Sequence, residues 1–86
     1  MIESFYEVYK NAKLITPDDD NDMEISTGKA LISRGIMLVG TTPDLEIFDE
    51  AGNAVTIQGL ATGVIHPIRT RRILEGTDAT SVFVFW

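Results

Sequence analysis

The sequence contains no cysteine and only one histidine, His66, among its 86 residues. Without cysteine the chain cannot form disulfides, iron–sulfur clusters or thiolate zinc sites, and one imidazole argues against a histidine-based metal site. Long hydrophobic runs are also missing: the longest uninterrupted apolar stretch is Val82 to Trp86, far short of the ~20 residues of a membrane helix. The N-terminus lacks the basic start and apolar run of a secretion signal. We therefore expect a soluble chain made in a cytoplasm, with no cofactor, no metal and no membrane partner.

Positive charge is scarce, and the negative charge is concentrated near the N-terminus. The chain carries 7 Lys and Arg against 13 Asp and Glu, for a net charge of −6. Residues 1–24 account for −5 of this and residues 25–86 for only −1. Phosphate backbones would repel so acidic a chain, so we expect no nucleic-acid partner. A chain of this length forms one domain at most, and such small domains commonly gain stability from disulfides, metals or partners, of which partners remain here.

Residues 1–28 are interpreted as an acidic leader. Four apolar side chains recur in it at helical spacing: Ile2, Phe5, Tyr6 and Tyr9. The spacing predicts a short helix within residues 2–13 that docks on the rest of the chain, or else a frayed arm, because so short a helix is marginal alone.

An acidic run follows Pro17, which ends any helix before it. Asp18, Asp20 and Asp22 alternate as they do at the start of a calcium-binding loop. The pattern then fails, since the required glycine and glutamate are replaced by methionine at position 23 and lysine at position 29. A solvated acidic loop is the better interpretation, and a cation site of another type stays open.

From residue 29 onward the apolar residues recur with a period of two, which predicts a β domain over residues 29–86. Short strand-like segments alternate with Gly, Asp, Asn and Thr turns at intervals of ~8–12 residues, a pattern typical of a small antiparallel β-sandwich or barrel. We predict an all-β fold of about six strands, including a strand in the stretch VIHPIRTRRIL. Gly35 is expected at a bulge or bend, and Gly52 in the left-handed position of a hairpin turn.

The last segment, SVFVFW, is apolar on both faces. Pleating directs Val82, Val84 and Trp86 to one side and Phe83 and Phe85 to the other. A thin domain buries one such face, and leaving the second in water forgoes ~1.5–3 kcal/mol for each Phe. We predict that neighbouring copies of the chain cover it, with cover by the leader as the alternative.

Three arginines lie in the preceding segment, within four residues of one another. Pleating places Arg69 and Arg71 on one face and Arg72 on the other. Arg69 and Arg71 are positioned to meet the acidic leader of the same or an adjacent chain. Arg72, among apolar neighbours, would need a carboxylate such as Asp78 or Glu75. Scattered surface charges are the alternative.

Catalytic groupings are missing from the sequence. It has no Gly-rich phosphate loop and no plausible set of nucleophile, base and acid. His66 precedes Pro67 at the start of a predicted strand, where a structural role is the commoner one. The adjacent carboxylates Asp49 and Glu50 fall in a hairpin turn without a pocket. We expect that the protein is not an enzyme.

Two long segments resemble parts of a known family. ITPDDDNDMEISTGKALISRGIMLVG is similar to the opening of small tailed-phage virion proteins, and VTIQGLATGVIHPIRTRRILEGTDATSVFVFW to their ending. The most specific matches are Pro67-Ile68-Arg69, Arg72, Gly76-Thr77, Ala79-Thr80 and Trp86. Over about residues 14–86 the chain thus resembles the head-spike base proteins of gene transfer agents and related phages. It departs from their pattern at Lys29, where arginine is usual, and residues 1–13 have no clear counterpart, which puts the capsid partner in doubt.

The resemblance implies a phage structural protein on the capsid surface of the virion. In this interpretation the chain is a homo-oligomer that serves as a head-spike or fibre base or as a head decoration protein, with the major capsid protein or a spike or fibre protein as partner. The residues expected at oligomer or capsid contacts are Phe83, Phe85, Trp86, Arg69, Arg71, Arg72, Tyr6 and Tyr9. The alternatives are a component of the head–tail connector and a carbohydrate-binding module of a receptor-binding fibre, which would display Trp86, Tyr6 and Tyr9.

Overall fold

The computed structural model describes residues 9–41 and 43–86, and every regular element in them is a β-strand. The strands are β1 (Ala12–Ile15), β2 (Glu24–Ser26), β3 (Lys29–Ala30), β4 (Gly35–Val39), β5 (Leu45–Phe48), β6 (Ala54–Ile57) and β7 (Ser81–Phe85). They pair antiparallel in three small sheets, in the orders β1–β7–β4, β2–β3 and β5–β6. The prediction of a small all-β antiparallel fold is confirmed.

The predicted N-terminal helix is wrong in the part that the structure describes; its first residues, up to 8, lie outside the described residues. Ala12–Ile15 form β1, which pairs with β7 along its whole length, from Ala12 opposite Phe85 to Ile15 opposite Val82. The β7 edge offers this segment a full hydrogen-bond ladder, whereas a short helix would stand without comparable support. The strand count of seven differs from the predicted six because the leader contributes β1 and β2, while the predicted strand over residues 64–74 is not formed.

The sheet β1–β7–β4, called the main sheet below, has β7 at its centre. Alternation along its strands gives it two faces. The inner face carries Ile36, Leu38, Val82 and Val84, all of them buried. These side chains pack with buried side chains of the other segments, which are Met23, Leu31, Leu45, Ile47 and Ile73. The core therefore lies between the main sheet and the β5–β6 hairpin.

The β5–β6 hairpin turns through residues 49–53. The Asp49 N–H donates to the Asn53 carbonyl at 2.9 Å, and the Asp49 side chain accepts the Asn53 N–H at 2.9 Å. Gly52 has φ of 85°, a left-handed conformation that glycine adopts without steric cost. The hairpin turn and the role of Gly52 are confirmed.

The β2–β3 hairpin spans the division predicted after residue 28. Gly28 lies in its turn with φ of 80°, and its N–H donates to a carboxylate oxygen of Glu24 at 2.8 Å. Strand β2, on the leader side, pairs with β3, on the other side. The leader and the β domain thus share both this hairpin and the main sheet.

The segment 64–74, predicted as a strand, forms isolated bridges instead. His66 bridges Ile36 on β4, and Ile73 bridges Ile47 on β5. Between them Pro67 has no N–H to donate, and the Ile68 carbonyl and the Thr70 N–H bond the Ser33 hydroxyl rather than a strand. The segment therefore joins the main sheet to the β5–β6 hairpin without being a ladder strand of either.

Gly35 is not at a bulge. It is the first residue of β4 and pairs in regular register with Phe85. A Cβ atom at this position would lie 2.7 Å from the Ile65 side chain and 2.8 Å from the Tyr9 ring. Gly35 is therefore required by the close approach of those two side chains to the sheet.

Candidate interaction surface

The face of the main sheet that points away from the core, called the outer face below, is apolar at its centre. Leu14, Phe83 and Met37 lie side by side across β1, β7 and β4, each directly opposite the next in the register. We call these three residues the outer row. Leu14 is 58% exposed, and Phe83 and Met37 are half-buried. On the same face Val39 is 40% exposed, so the described residues leave this row partly uncovered.

Phe85 also points to the outer face but is covered by its own chain. It is 6% exposed, and the Tyr9 ring lies on it with the two ring centroids 5.8 Å apart and a tilt of 50°. This burial argues against the prediction that Phe85 is a contact between copies, because a ring buried within its own chain offers little surface to another. Tyr9 is half-buried in this contact, and Tyr6 lies outside the described residues.

Trp86 lies at the end of β7 and packs against the core from the inner side while remaining half-buried. Its carbonyl oxygen accepts the N–H groups of Lys10 and Asn11 at 2.8 and 2.9 Å. Its ring is thus a partial cap on the core. Together with Tyr9 on Phe85, this leaves little support for an outward display of aromatic rings to a sugar.

Arg71 and Arg72 meet one carboxylate of the leader. The Nε of Arg72 lies 2.7 Å from Oδ1 of Asp22, and the Nε of Arg71 lies 3.5 Å from its Oδ2. Both guanidinium groups also lie over the Phe48 ring, 4.8 Å from its centroid for Arg72 and 5.7 Å for Arg71. The expected partners of Arg72, Asp78 and Glu75, are wrong: Asp22 fills that role, and for Arg71 the predicted contact with the leader occurs within the same chain.

The acidic loop of residues 18–23 is docked along the segment 71–75 by its backbone. The N–H of Asp18 donates to the Ile73 carbonyl, and that of Met23 to the Arg71 carbonyl, each at 2.9 Å. The Asp19 side chain accepts the Glu75 N–H at 2.8 Å, and the Glu75 side chain accepts the Asp19 N–H at 3.2 Å. The loop is thus fixed in place, although the side chains of residues 19–22 are exposed.

Asp18 organises the start of this loop. Its carboxylate accepts the N–H groups of Asp20 and Asn21 at 2.8 and 3.2 Å and the side-chain amide of Asn21 at 3.1 Å. These bonds, that from the Asp20 N–H first, lower the pKa of the Asp18 carboxyl below its ordinary value. The alternating aspartates therefore serve a turn, and no cluster of His, Asp or Glu in the described residues is arranged to hold a metal ion.

Arg69 is exposed at the mouth of a shallow cavity of about 180 Å³. Ile32 and Phe48 contribute apolar lining, while Arg71 and the turn residues Asp49 and Glu50 bring charges of both signs. Positive and negative groups balance at its rim. The cavity therefore favours no ionic ligand.

His66 has a structural position. Its ring Nε2 lies 2.8 Å from the Ala61 carbonyl oxygen, and its backbone exchanges hydrogen bonds with Ile36 at 2.8 and 2.9 Å. It is thus tied to the loop that closes the outer edge of β4. Asp49, one of the two adjacent carboxylates considered in the sequence, accepts a hydrogen bond within the hairpin turn.

Sequence reasoning missed three residues that shape this surface. Asp22 pairs with two arginines 49 and 50 residues away, and nothing in the local pattern distinguishes it from its acidic neighbours. Gly35 had a signal, a glycine within an apolar strand, but close side-chain approach is one of several causes of that signal. Ser33 also had one, a polar residue between apolar positions of a predicted strand, and it proves to be fully buried.

Comparison with protein-family models, with curated proteins and with solved structures found no significant match to this chain. The described residues contain no helix that is both long and apolar enough to span a membrane. The function therefore has to be argued from the surface itself and from the sequence resemblance.

Proposed function

We propose that this chain is a structural subunit of a tailed-phage virion, a small β domain that assembles with copies of itself on the capsid as a head-spike or fibre base or as a head decoration protein. The observation that carries the proposal is the outer row. A protein that functions as a monomer would be more stable if Leu14, Phe83 and Met37 were covered. Burying each apolar side chain contributes roughly 1.5–3 kcal/mol to stability. An apolar surface of this kind typically marks a site of association.

The remainder of the surface agrees with a structural role. Two of the three arginines, Arg71 and Arg72, are held by Asp22 and Phe48, so they stabilise the fold and the loop instead of forming a free basic patch. The single histidine and Asp49 occupy structural positions. Resemblance to head-spike base proteins over about residues 14–86 adds the virion as the place of assembly and the capsid or a fibre as the partner.

The experiment is to purify intact particles of the phage that encodes this chain and to determine their protein content and structure. We expect the chain in stoichiometric amounts in the particle, with density for its β domain at the capsid surface. Absence of the chain from particles that are otherwise complete and infectious would refute the virion role. A chain found only inside the particle or in the tail would refute the capsid-surface position.

A further inference from the structure

Among residues 9–41 and 43–86, no strand pairs with the outer side of β1, which forms an open edge of the main sheet. Asn11 and Trp86 exchange both backbone hydrogen bonds, at 2.9 and 3.1 Å. In an antiparallel ladder such pairs alternate, so Lys13 and Ile15 also direct their backbone groups to β7, while Ala12 and Leu14 direct theirs away from it. Both of these residues are exposed. Two N–H groups and two carbonyls therefore face outward along this strand.

The opposite edge of the same sheet is occupied. Ile36 on β4 exchanges hydrogen bonds with His66, and the Leu38 carbonyl accepts the Gly63 N–H at 3.0 Å. The sheet is thus closed at β4 and open at β1. An open edge is a template for another strand.

The usual protection of an open edge is weak here. Lysine side chains commonly guard such edges by remaining solvated. Lys13, however, directs its ammonium group to the backbone carbonyls of Glu24 and Ile25, at 2.7 and 3.3 Å. Leu14, the residue at the middle of the edge, is 58% exposed.

We propose that β1 pairs antiparallel with β1 of a second copy, with Leu14 opposite Leu14, to give one continuous six-stranded sheet. This register sets Ala12 opposite Thr16 of the second copy and allows about six backbone hydrogen bonds. It joins the two outer rows into one apolar line across the dimer. The neighbouring register, with Ala12 opposite Leu14, would set Lys13 against Lys13, and like charges directly opposite one another are destabilising.

Tyr9, the first described residue, lies away from the open edge. The Tyr9 ring lies on Phe85 and beside Gly35 of β4, across β7 from the open edge. Strand β6, at an edge of the β5–β6 hairpin, does not offer the same surface. Thr56 there stands opposite Glu46 on β5, so pairing through β6 would join polar rows rather than apolar ones.

Such an interface is small. It falls below the area of stable protein–protein interfaces, so the free protein is expected to dimerise with a dissociation constant on the order of 100 µM. Copies held side by side on a capsid would pair far more completely, because their effective concentration is in the millimolar range. The pairing deepens the proposed function and is tested on the purified chain, whereas the virion role is tested on particles, so the two can fail separately.

The test is sedimentation velocity of the full chain from about 5 to 500 µM. We expect a monomer at the low end, a growing dimer fraction at the high end, and slower exchange of the Ala12 and Leu14 amides as the dimer forms. Ala12→Pro removes an outward N–H without removing a bond to β7 and should abolish the dimer with the thermal midpoint nearly unchanged. Leu14→Lys is the second variant and should weaken dimerisation at least tenfold.

The matched control is Thr56→Pro, which removes an outward N–H from β6. It should leave dimerisation intact. A monomer throughout the concentration range, or a dimer that is lost with Thr56→Pro and kept with Ala12→Pro, would overturn the proposal. So would a chain lacking residues 1–8 that dimerises much more strongly than the full chain, because its own leader would then be the occupant of the edge.

Discussion

Ser33 lies where the main sheet, the segment 64–74 and β5 meet. Replacing it with alanine should substantially lower the free energy of unfolding. Its side chain is fully buried and lies against the segment 64–74. The hydroxyl donates to the Ile68 carbonyl at 2.8 Å and accepts the Thr70 N–H at 2.8 Å. Thr70 in turn donates from its hydroxyl to the Phe48 carbonyl at 2.9 Å, which connects the node to β5.

The magnitude follows from the groups that Ser33→Ala leaves without a partner. A buried donor or acceptor that loses its partner costs about 1–3 kcal/mol. Two are affected, but the Ile68 carbonyl belongs to a half-buried residue and regains some hydration, so we expect a loss of about 2–4 kcal/mol in the free energy of unfolding. A domain of this length has roughly 4–13 kcal/mol in total, and the thermal midpoint should fall by about 8–30 °C.

The assay is urea unfolding followed by Trp86 fluorescence and by circular dichroism. Ser26→Ala is the matched control, since Ser26 is exposed on β2 and its loss should change the free energy of unfolding by less than about 0.5 kcal/mol. If Ser33→Ala also stays within 0.5 kcal/mol of the parent, the hydroxyl is not the link that holds the three parts together, and the reasoning is refuted.

Three further variants test other parts of the surface. Gly35→Ala should cost about 1–3 kcal/mol in urea unfolding because its Cβ would overlap the Tyr9 ring, and Tyr9→Ala in the same chain should return part of that loss. Asp22→Asn should lower the free energy of unfolding by less than about 1 kcal/mol, since the pair with Arg72 is partly exposed. A double-mutant cycle on Asp22 and Arg72 measures their coupling at low and high salt. The absence of coupling at both salt concentrations would contradict the ion pair. Asp18 has a lowered pKa, so its stabilising contribution is complete above its ordinary value of 3.8 and is lost as the pH falls through the lower folded value. Asp18→Asn should therefore flatten the dependence of stability on pH in that acid range, and an unchanged slope would contradict the assignment.

Turns, strands and the two faces of each strand were predictable from the sequence. The turn at Gly52 and the strands around it depend on residues a few positions apart, and an alternating pattern with a glycine in a left-handed conformation is enough to specify them. The two apolar faces of β7 were also evident, because alternation alone assigns Val82 and Phe83 to opposite sides.

Pairings between distant segments were not predictable in the same way. The leader carried an apolar spacing that favours a helix, but the edge of β7 was available and Ala12–Ile15 became a strand. Arg72 required a carboxylate, yet several acids could have supplied it and only the docking of the acidic loop selected Asp22. The cover of Phe85 by Tyr9 likewise depends on how the two ends of the chain meet.

The meeting of β1 with β7 has a mechanical consequence. The strands run antiparallel, and the Asn11–Trp86 pair stands at the end of their ladder where both leave the sheet. A force that pulls these two points apart would load one hydrogen-bonded pair after another, as in opening a zip, instead of shearing all of them together. The same domain would resist far more tension applied through opposite ends of β1 and β7, so it would bear a load best along its strands.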